Sequence, residues 1–224
     1  MPATIQALED ASLDSTTPIT IVSALLHQLS NEFAVKDLGA LSYFLGIQVQ
    51  RNSESLHMHQ GKYILDLLHD TNMVGAKPVA TTCTSGGKLS KHTGDPLLGP
   101  SVYRHIAGAL QYCTTRPDIA YSVNLLCQFL HCPTYVHLTA AKRVLRYLKG
   151  TLDFGLHYSK GSLALHGFCD SDWAGSPDDH KSTTRYCIFV GPCLISWTAK
   201  KQPVIARSSM ETEYRSMALA IIEL

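Results

Sequence analysis

At 224 residues the chain is long enough for one large or two small domains with their own cores. Hydrophobic residues make up 45% and charged residues 17%, a folded globular composition that excludes a disordered chain. The net charge is +1, and no apolar run approaches the roughly 18 residues that a membrane span needs.

The opening, MPATIQALEDASLDSTTP, is acidic. It has neither the apolar core of a secretory signal nor the Arg-rich face of a transit peptide, so the cytoplasm or nucleus is the expected location. The seven cysteines (83, 113, 127, 132, 169, 187 and 193) are odd in number and show no C-x-x-C pair, as expected of reduced thiols in an intracellular protein. His131, Cys132 and His137 lie close in sequence, but without a second close-spaced pair they do not read as a zinc site. The small net charge hides an uneven distribution. Residues 101–150 carry six basic side chains against Asp118 alone, whereas residues 1–50 carry five acids and one base.

In chain order, Val22, Leu25, Leu26, Leu29 and Phe33 recur at helical spacing and predict a helix over 19–33, with Gly39 as a left-handed cap beyond it. LSYFLGIQVQRN, 41–52, reads as a strand, returning across Asn52-Ser53-Glu54 into a second strand at 55–59. A helix over about 60–72 is amphipathic through Tyr63, Ile64, Leu67 and Leu68. Residues 75–100 are rich in Gly and Pro and read as a connector. Helices follow at about 101–113, 117–131 and 134–149. The second starts at Pro117 and stacks Ile119, Val123, Leu126 and Leu130; the third stacks Leu138, Ala141, Leu145 and Leu148. Tyr112, Tyr121 and Tyr147 fall on apolar stripes and read as core.

From 151 the period changes to two. Segments 155–159, 163–170, 185–191 and 194–200 read as strands joined by turns, and 208–224 as a helix with Tyr214, Met217, Ala218, Ile221 and Ile222 on one face. Ser208 and Glu211 have capping-box spacing. Glu213 lies beside the apolar stripe, free to project toward the sheet edge. Trp173 and Trp197 read as core or edge packing more than as nucleotide stackers.

FCDSDWAG, 168–175, puts two acids in an apolar strand. A strand bearing Asp170, two antiparallel strands and a helix bearing Glu213 form an order that brings the two carboxylates together. Such acids repel unless a divalent cation lies between them. Two Mg²⁺ ions about 4 Å apart would then activate water and stabilise a leaving oxygen in phosphodiester hydrolysis. Lys142, Arg146 and Lys149, spaced i, i+4 and i+7 with Arg143 beside them, form a stripe on the helix 134–149. It reads either as a phosphate-tracking face or as an ordinary solvated one.

KDLGALSYFLGIQV, YRHIAGALQYCTTRPDIAYSVN, AAKRVLRYLKGT, CDSDWAGSPDDHKSTTRYCIFVG, LISWTAKKQPVIARSS and METEYRSMA closely resemble consecutive blocks of copia-type (Ty1/copia) retrotransposon Pol polyproteins. The resemblance runs from about Ile19 to the last residue. It implies an α/β (α+β) fold: a reverse transcriptase palm-end and thumb-like helical region followed by a truncated RNase H-like mixed β-sheet with a helix. The implied organisation is a divergent segment 1–18, a reverse transcriptase C-terminal region 19–150 and a truncated ribonuclease H-like domain 151–224. By analogy Asp170 is the strand-one metal ligand, Glu213 the ligand of the first helix, and Asp172 a supporting acid. Mg²⁺ or Mn²⁺ is the cofactor expected of the family, and an RNA–DNA hybrid the expected partner.

Departures from the family pattern qualify the expected activity. The family's aromatic-x-Asp-Asp turn should precede the helix that begins near Ile19, and no such motif occurs there. Asp178-Asp179 lies in a polar turn after Ser176-Pro177. The ribonuclease fold needs further strands, helices and two more acids beyond Leu224. Arg185 stands where the family usually has Gly after Ser-Thr-x. The expectation is a catalytically incomplete fragment that does not stably bind metal, of nucleic-acid-binding origin. An active hybrid ribonuclease, if the product extends beyond Leu224, and a co-opted host interaction protein are the alternatives.

Overall fold

The computed structural model describes residues 18–34, 41–84 and 87–224. The first helix, α1 (Pro18–Glu32), agrees with the apolar spacing and starts on a proline, whose missing N–H costs nothing at a helix start. The expected cap at Gly39 and most of the segment 1–18 lie outside the described residues. Residues 42–224 form a separate unit of α+β architecture, with two antiparallel sheets and a helical layer.

The first sheet has the order β1 (Tyr43–Phe44), β2 (Ile47–Arg51), β3 (Ser55–His59), β4 (Gly155–Ser159). Two of its features depart from expectation. The single strand read over 41–52 is a tight hairpin, because Leu45 (φ 49°) and Gly46 (φ 79°) both take left-handed backbone, the pattern of a two-residue primed turn. The Tyr112 hydroxyl donates to the Leu45 carbonyl at 3.0 Å, steadying a conformation that leucine rarely adopts. The second departure is β4, read from sequence with the segments after 151, which pairs along the whole of β3 from Ser55↔Ser159 to His59↔Gly155. Gly155 makes the fit possible, since a Cβ there would stand 2.1 Å from the Met58 carbonyl oxygen. The β2–β3 turn forms at Asn52-Ser53-Glu54 as the sequence suggests. Asn52 Oδ1 accepts from the Glu54 and Ser55 amides at 2.9 and 2.7 Å.

The helical layer comprises α2 (Gly61–Asp70), α3 (Ser101–Gln111), a 3₁₀ turn at Pro117–Ile119 leading into α4 (Ala120–Cys127), and α5 (Tyr135–Lys149). Ile64, Leu67, Leu68, Tyr103, Ile106, Leu110, Ile119, Val123, Leu126, Val144, Leu145 and Leu148 make the core, so the predicted stripes are largely the buried ones. Leu130 and Leu138 pack at its margin. The tyrosines differ: Tyr103 is the fully buried one, whereas Tyr112 is 44% exposed and Tyr121 and Tyr147 are half-buried. Tyr112 and Tyr147 both have polar partners near the surface, which a purely apolar site would deny their hydroxyls.

The second sheet is β5 (Leu165–Ser171), β6 (Thr183–Val190), β7 (Cys193–Lys201), with α6 (Ser209–Glu223) laid on β5 and β6. Every described pairing is antiparallel, where the resemblance implied a mixed sheet. The two-residue turn Gly191-Pro192 leaves β6 and β7 no other geometry.

α6 is also rotated relative to expectation. Thr212, Ser216 and Ala220 face the sheet, while Tyr214, Met217, Ile221 and Ile222 are exposed. The sheet surface beneath explains the choice. It presents Ser171, Thr184 and the Gln202 amide, which need partners once buried. Ser171 Oγ lies 2.6 Å from Thr212 Oγ1, Gln202 Nε2 donates to Thr212 Oγ1 at 2.8 Å, and Ser216 Oγ donates to the Asp170 carbonyl at 2.8 Å. An apolar helix face would leave those groups unsatisfied.

Candidate functional site

Strand β5 fixes the orientation of the acids. Side chains alternate along a strand. Ser171 meets α6 through Thr212, so Asp170 projects from the opposite face. There it lies directly across from Arg185 in the β5–β6 register, with Oδ2 3.2 Å from the guanidinium Nη2. The same guanidinium sits 4.9 Å from the ring centre of Tyr121 in α4. Asp172 lies just past the strand, where its backbone N–H donates to the Thr183 carbonyl at 3.3 Å and its carboxylate accepts from the Thr183 amide. The turn then closes on Gly175, where a Cβ would come 2.1 Å from Asp172 Oδ2. Ala174 between them has φ 50°, a strained value for a residue with a side chain.

Glu213 is exposed on α6, and its carboxylate has no hydrogen-bond or ion-pair partner among the described residues. The capping assignment of its neighbour is visible. Ser208 Oγ accepts from the Glu211 amide at 3.1 Å, and the Glu211 carboxylate reaches back to the Arg207 amide at 2.7 Å. The Arg207 amide holds the Glu211 carboxyl below its usual range, with Arg215 adding to the effect. Thus Asp170, Asp172 and Glu213 have three different settings: a guanidinium, a backbone amide and solvent.

This donor set does not suit a divalent cation. Among the described residues no three His, Cys, Asp or Glu side chains converge to hold one. Asp170 already pairs with the Arg185 guanidinium at the surface, and β5 turns it away from the face that carries the helix. Of the three residues weighed for zinc, His137 is buried at the start of α5, where its Nδ1 accepts from the Thr134 amide at 3.0 Å. Burial lowers its pKa, against the opposing pull of the Ser90 carbonyl and Asp178.

The basic stripe of α5 has partners that spacing alone did not reveal. Arg143 Nη2 donates to Thr81 Oγ1 at 2.7 Å, Arg146 Nε to the Lys77 carbonyl at 2.7 Å, and Lys149 Nζ to the carbonyls of Val74 and Ala76. Three of the four bases therefore fasten the connector 74–81 to α5, and Lys142 is left exposed. A connector rich in Gly and Pro has few partners of its own for its carbonyls, which is the signal that could have paired it with this stripe.

Two further links escaped sequence reading. Asp178 accepts from Ser90 Oγ at 2.5 Å and from the Lys91 amide at 3.0 Å, tying the connector to the turn after β5. Arg116 is fully buried and joins Asp118 to Thr151.

The chain matches the family described as reverse transcriptase (RNA-dependent DNA polymerase) over residues 7–85, a match that begins ahead of Ile19. It belongs to the copia-type retrotransposon Pol polyproteins, in their reverse transcriptase region. It is 49% identical over 213 residues to the retrovirus-related Pol polyprotein from transposon RE1 of Arabidopsis thaliana, covering 94% of this chain and 14% of that polyprotein. An uncharacterized mitochondrial protein of the same plant is 47% identical over 207 residues, with 92% of this chain and 86% of that protein covered. A putative transposon Ty5-1 protein of Saccharomyces cerevisiae is 31% identical over 228 residues, which is 100% of this chain and 74% of that protein. The chain thus spans about 14% of the length of the plant polyproteins it matches. No solved structure gives a significant match.

Proposed function

We propose that this chain is the part of a copia-type Pol polyprotein that joins the reverse transcriptase to a ribonuclease H-like domain, and that its own biochemical capacity is to bind an RNA–DNA hybrid without cutting it. The observation that carries this reading is the order β5–β6–β7–α6, three antiparallel strands with an acid on the first and a helix across the first two. That order suits the opening of a ribonuclease H-like fold, with residues 19–150 as the polymerase's palm-end and thumb-like region. Mg²⁺ or Mn²⁺ is the cofactor normal to the family. The residues here do not assemble its site, so no catalytic step is assigned to Asp170, Asp172 or Glu213.

Binding to hybrid follows the charge. Residues 101–150 carry six basic side chains against one acid, and on α5 Lys142 is the exposed base without a hydrogen-bond or ion-pair partner among the described residues. Arg143, Arg146 and Lys149 act first on the connector. The test is hybrid binding measured against salt concentration for the wild type and Lys142→Ala. Each lost phosphate contact lowers the slope of log K against log salt by about 0.9 in B-DNA, and a comparable change is expected here. Unchanged slope and affinity in the variant would remove α5 from the interface, and absence of hybrid binding by the wild type would remove the reading.

A further inference from the structure

The divalent cation expected at Asp170 and the side chain found there are in conflict, and the conflict is built into the sheet. Register places Arg185 directly opposite Asp170, so the two side chains leave adjacent strands on one face. Nη2 reaches Oδ2 at 3.2 Å. The Tyr121 ring flanks the guanidinium with 4.9 Å between them, and Arg185 Nε is buried without a hydrogen-bond partner. Strand register and an aromatic face position this arginine over the Asp170 carboxylate, although the pair lies at the surface, with 39% of the Arg185 side chain and 64% of the Asp170 side chain exposed. A guanidinium stays protonated at any ordinary pH and presents a planar fork matched to a carboxylate. A divalent ion on the same carboxylate would have to sit against that positive charge.

We infer that Arg185 is the resident cation of the Asp170 site, occupying the place of a divalent metal and closing the β5 carboxylate to Mg²⁺ and Mn²⁺. The inference deepens the ribonuclease H-like reading of β5–α6 and rests on it for the choice of metal. It explains a sequence departure, since an arginine where the family usually has glycine puts a charge over a carboxylate that would otherwise be open.

Manganese titration followed by paramagnetic broadening of backbone amide resonances tests it on the full chain. In the wild type, Mn²⁺ is expected to leave the β5 resonances from His166 to Asp172 as sharp as in Asp170→Asn. Arg185→Gln, which keeps much of the side chain against Tyr121 but removes the charge, should broaden them at a manganese concentration at least tenfold lower. Arg185→Ala should do the same, and adding Asp170→Asn to either variant should abolish the gain. Broadening of β5 in the wild type that depends on Asp170 would overturn the inference. So would an Arg185→Gln protein that gains no manganese site. The proposed function fails separately, through loss of hybrid binding, which this titration does not measure.

Discussion

A guanidinium with no exposed surface needs its N–H groups answered within the protein, and Arg116 finds those answers in two directions. Nε and Nη2 bond the Asp118 carboxylate at 2.9 and 2.7 Å, while Nη1 and Nη2 reach the Thr151 carbonyl and hydroxyl at 2.8 and 2.7 Å. Tyr147 and Phe154 lie over the same group. Burial pushes the Asp118 carboxyl up, but Arg116 and Tyr147 outweigh this and hold it below the usual range. Arg116→Ala would leave that carboxylate half-buried and unpaired. The expected cost is about 3 kcal/mol, at the lower end for a broken buried pair because the Asp118 side chain is 30% exposed. Urea denaturation reads it directly, and a loss below about 1 kcal/mol would show the network to be dispensable. Asp179 gives the chain an acid-sensitive contact. Desolvation raises its pKa, yet hydrogen bonds from Lys201, Ser176 and the Lys181 amide prevail and bring it down to about 2. A lowered folded-state pKa means stabilisation that is present above the unfolded value near 3.9 and is lost as pH falls toward about 2. Asp179→Asn should therefore be slightly less stable than wild type at neutral pH, by under ~1 kcal/mol given solvent screening. The gap should close between about pH 4 and pH 2 in acid titrations; a gap that persists at pH 2 would contradict the assignment. Local contacts such as the Ser208 cap were legible in sequence because both partners lie within one turn. Arg116 was not, since Thr151 is supplied by a distant segment.

At the scale of elements, helix positions were well marked by apolar spacing, but the facing of α6 was not. Its apolar stripe, Tyr214, Met217 and Ile221, has the stronger periodic signal, and Thr212, Ser216 and Ala220 are the buried side. Periodicity reports which face is apolar; it does not report what the opposing sheet offers. Here the sheet offers hydroxyls and an amide, and hydrogen-bond satisfaction decides the rotation. The consequence is measurable. Ile221, 61% exposed, should accept Lys with a stability change within about 0.5 kcal/mol. Gln202→Leu should cost about 1–3 kcal/mol, because Thr184 and Thr212 lose a buried partner. The reverse ranking in thermal or urea unfolding would mean that α6 packs through its apolar stripe after all. The same limit applies to α5. Its charges were legible as a stripe, and their use on the carbonyls of 74–77 depends on where the connector runs.

Across residues 42–224, the segments on either side of residue 150 are interlocked. β4 completes the first sheet, Cys193 Sγ donates to the Ser159 carbonyl at 3.3 Å, Arg185 meets Tyr121, and Asp178 holds the connector. The change of period after 150 announced strands, and their pairing partners could not be read because antiparallel strands of similar length are interchangeable on pattern alone. Gly155→Ala probes this join, since the added methyl would meet the Met58 carbonyl and the His59 backbone. A loss of roughly 1–3 kcal/mol is expected, as for an overpacked site. Unchanged thermal stability would argue against the β3–β4 register. The candidate acids were legible as a sequence block; their partners, which follow from strand alternation and from Arg185, were visible only in three dimensions.

The central proposal is that Asp170, Asp172 and Glu213 assemble no catalytic metal site and that the protein holds a hybrid without hydrolysing it. Incubating the full 224-residue chain with a labelled RNA–DNA hybrid and Mg²⁺ or Mn²⁺, beside Asp170→Asn, tests this most directly. Both proteins should retain the hybrid and leave its RNA strand intact. RNA cleavage by the wild type that disappears in Asp170→Asn would contradict the account.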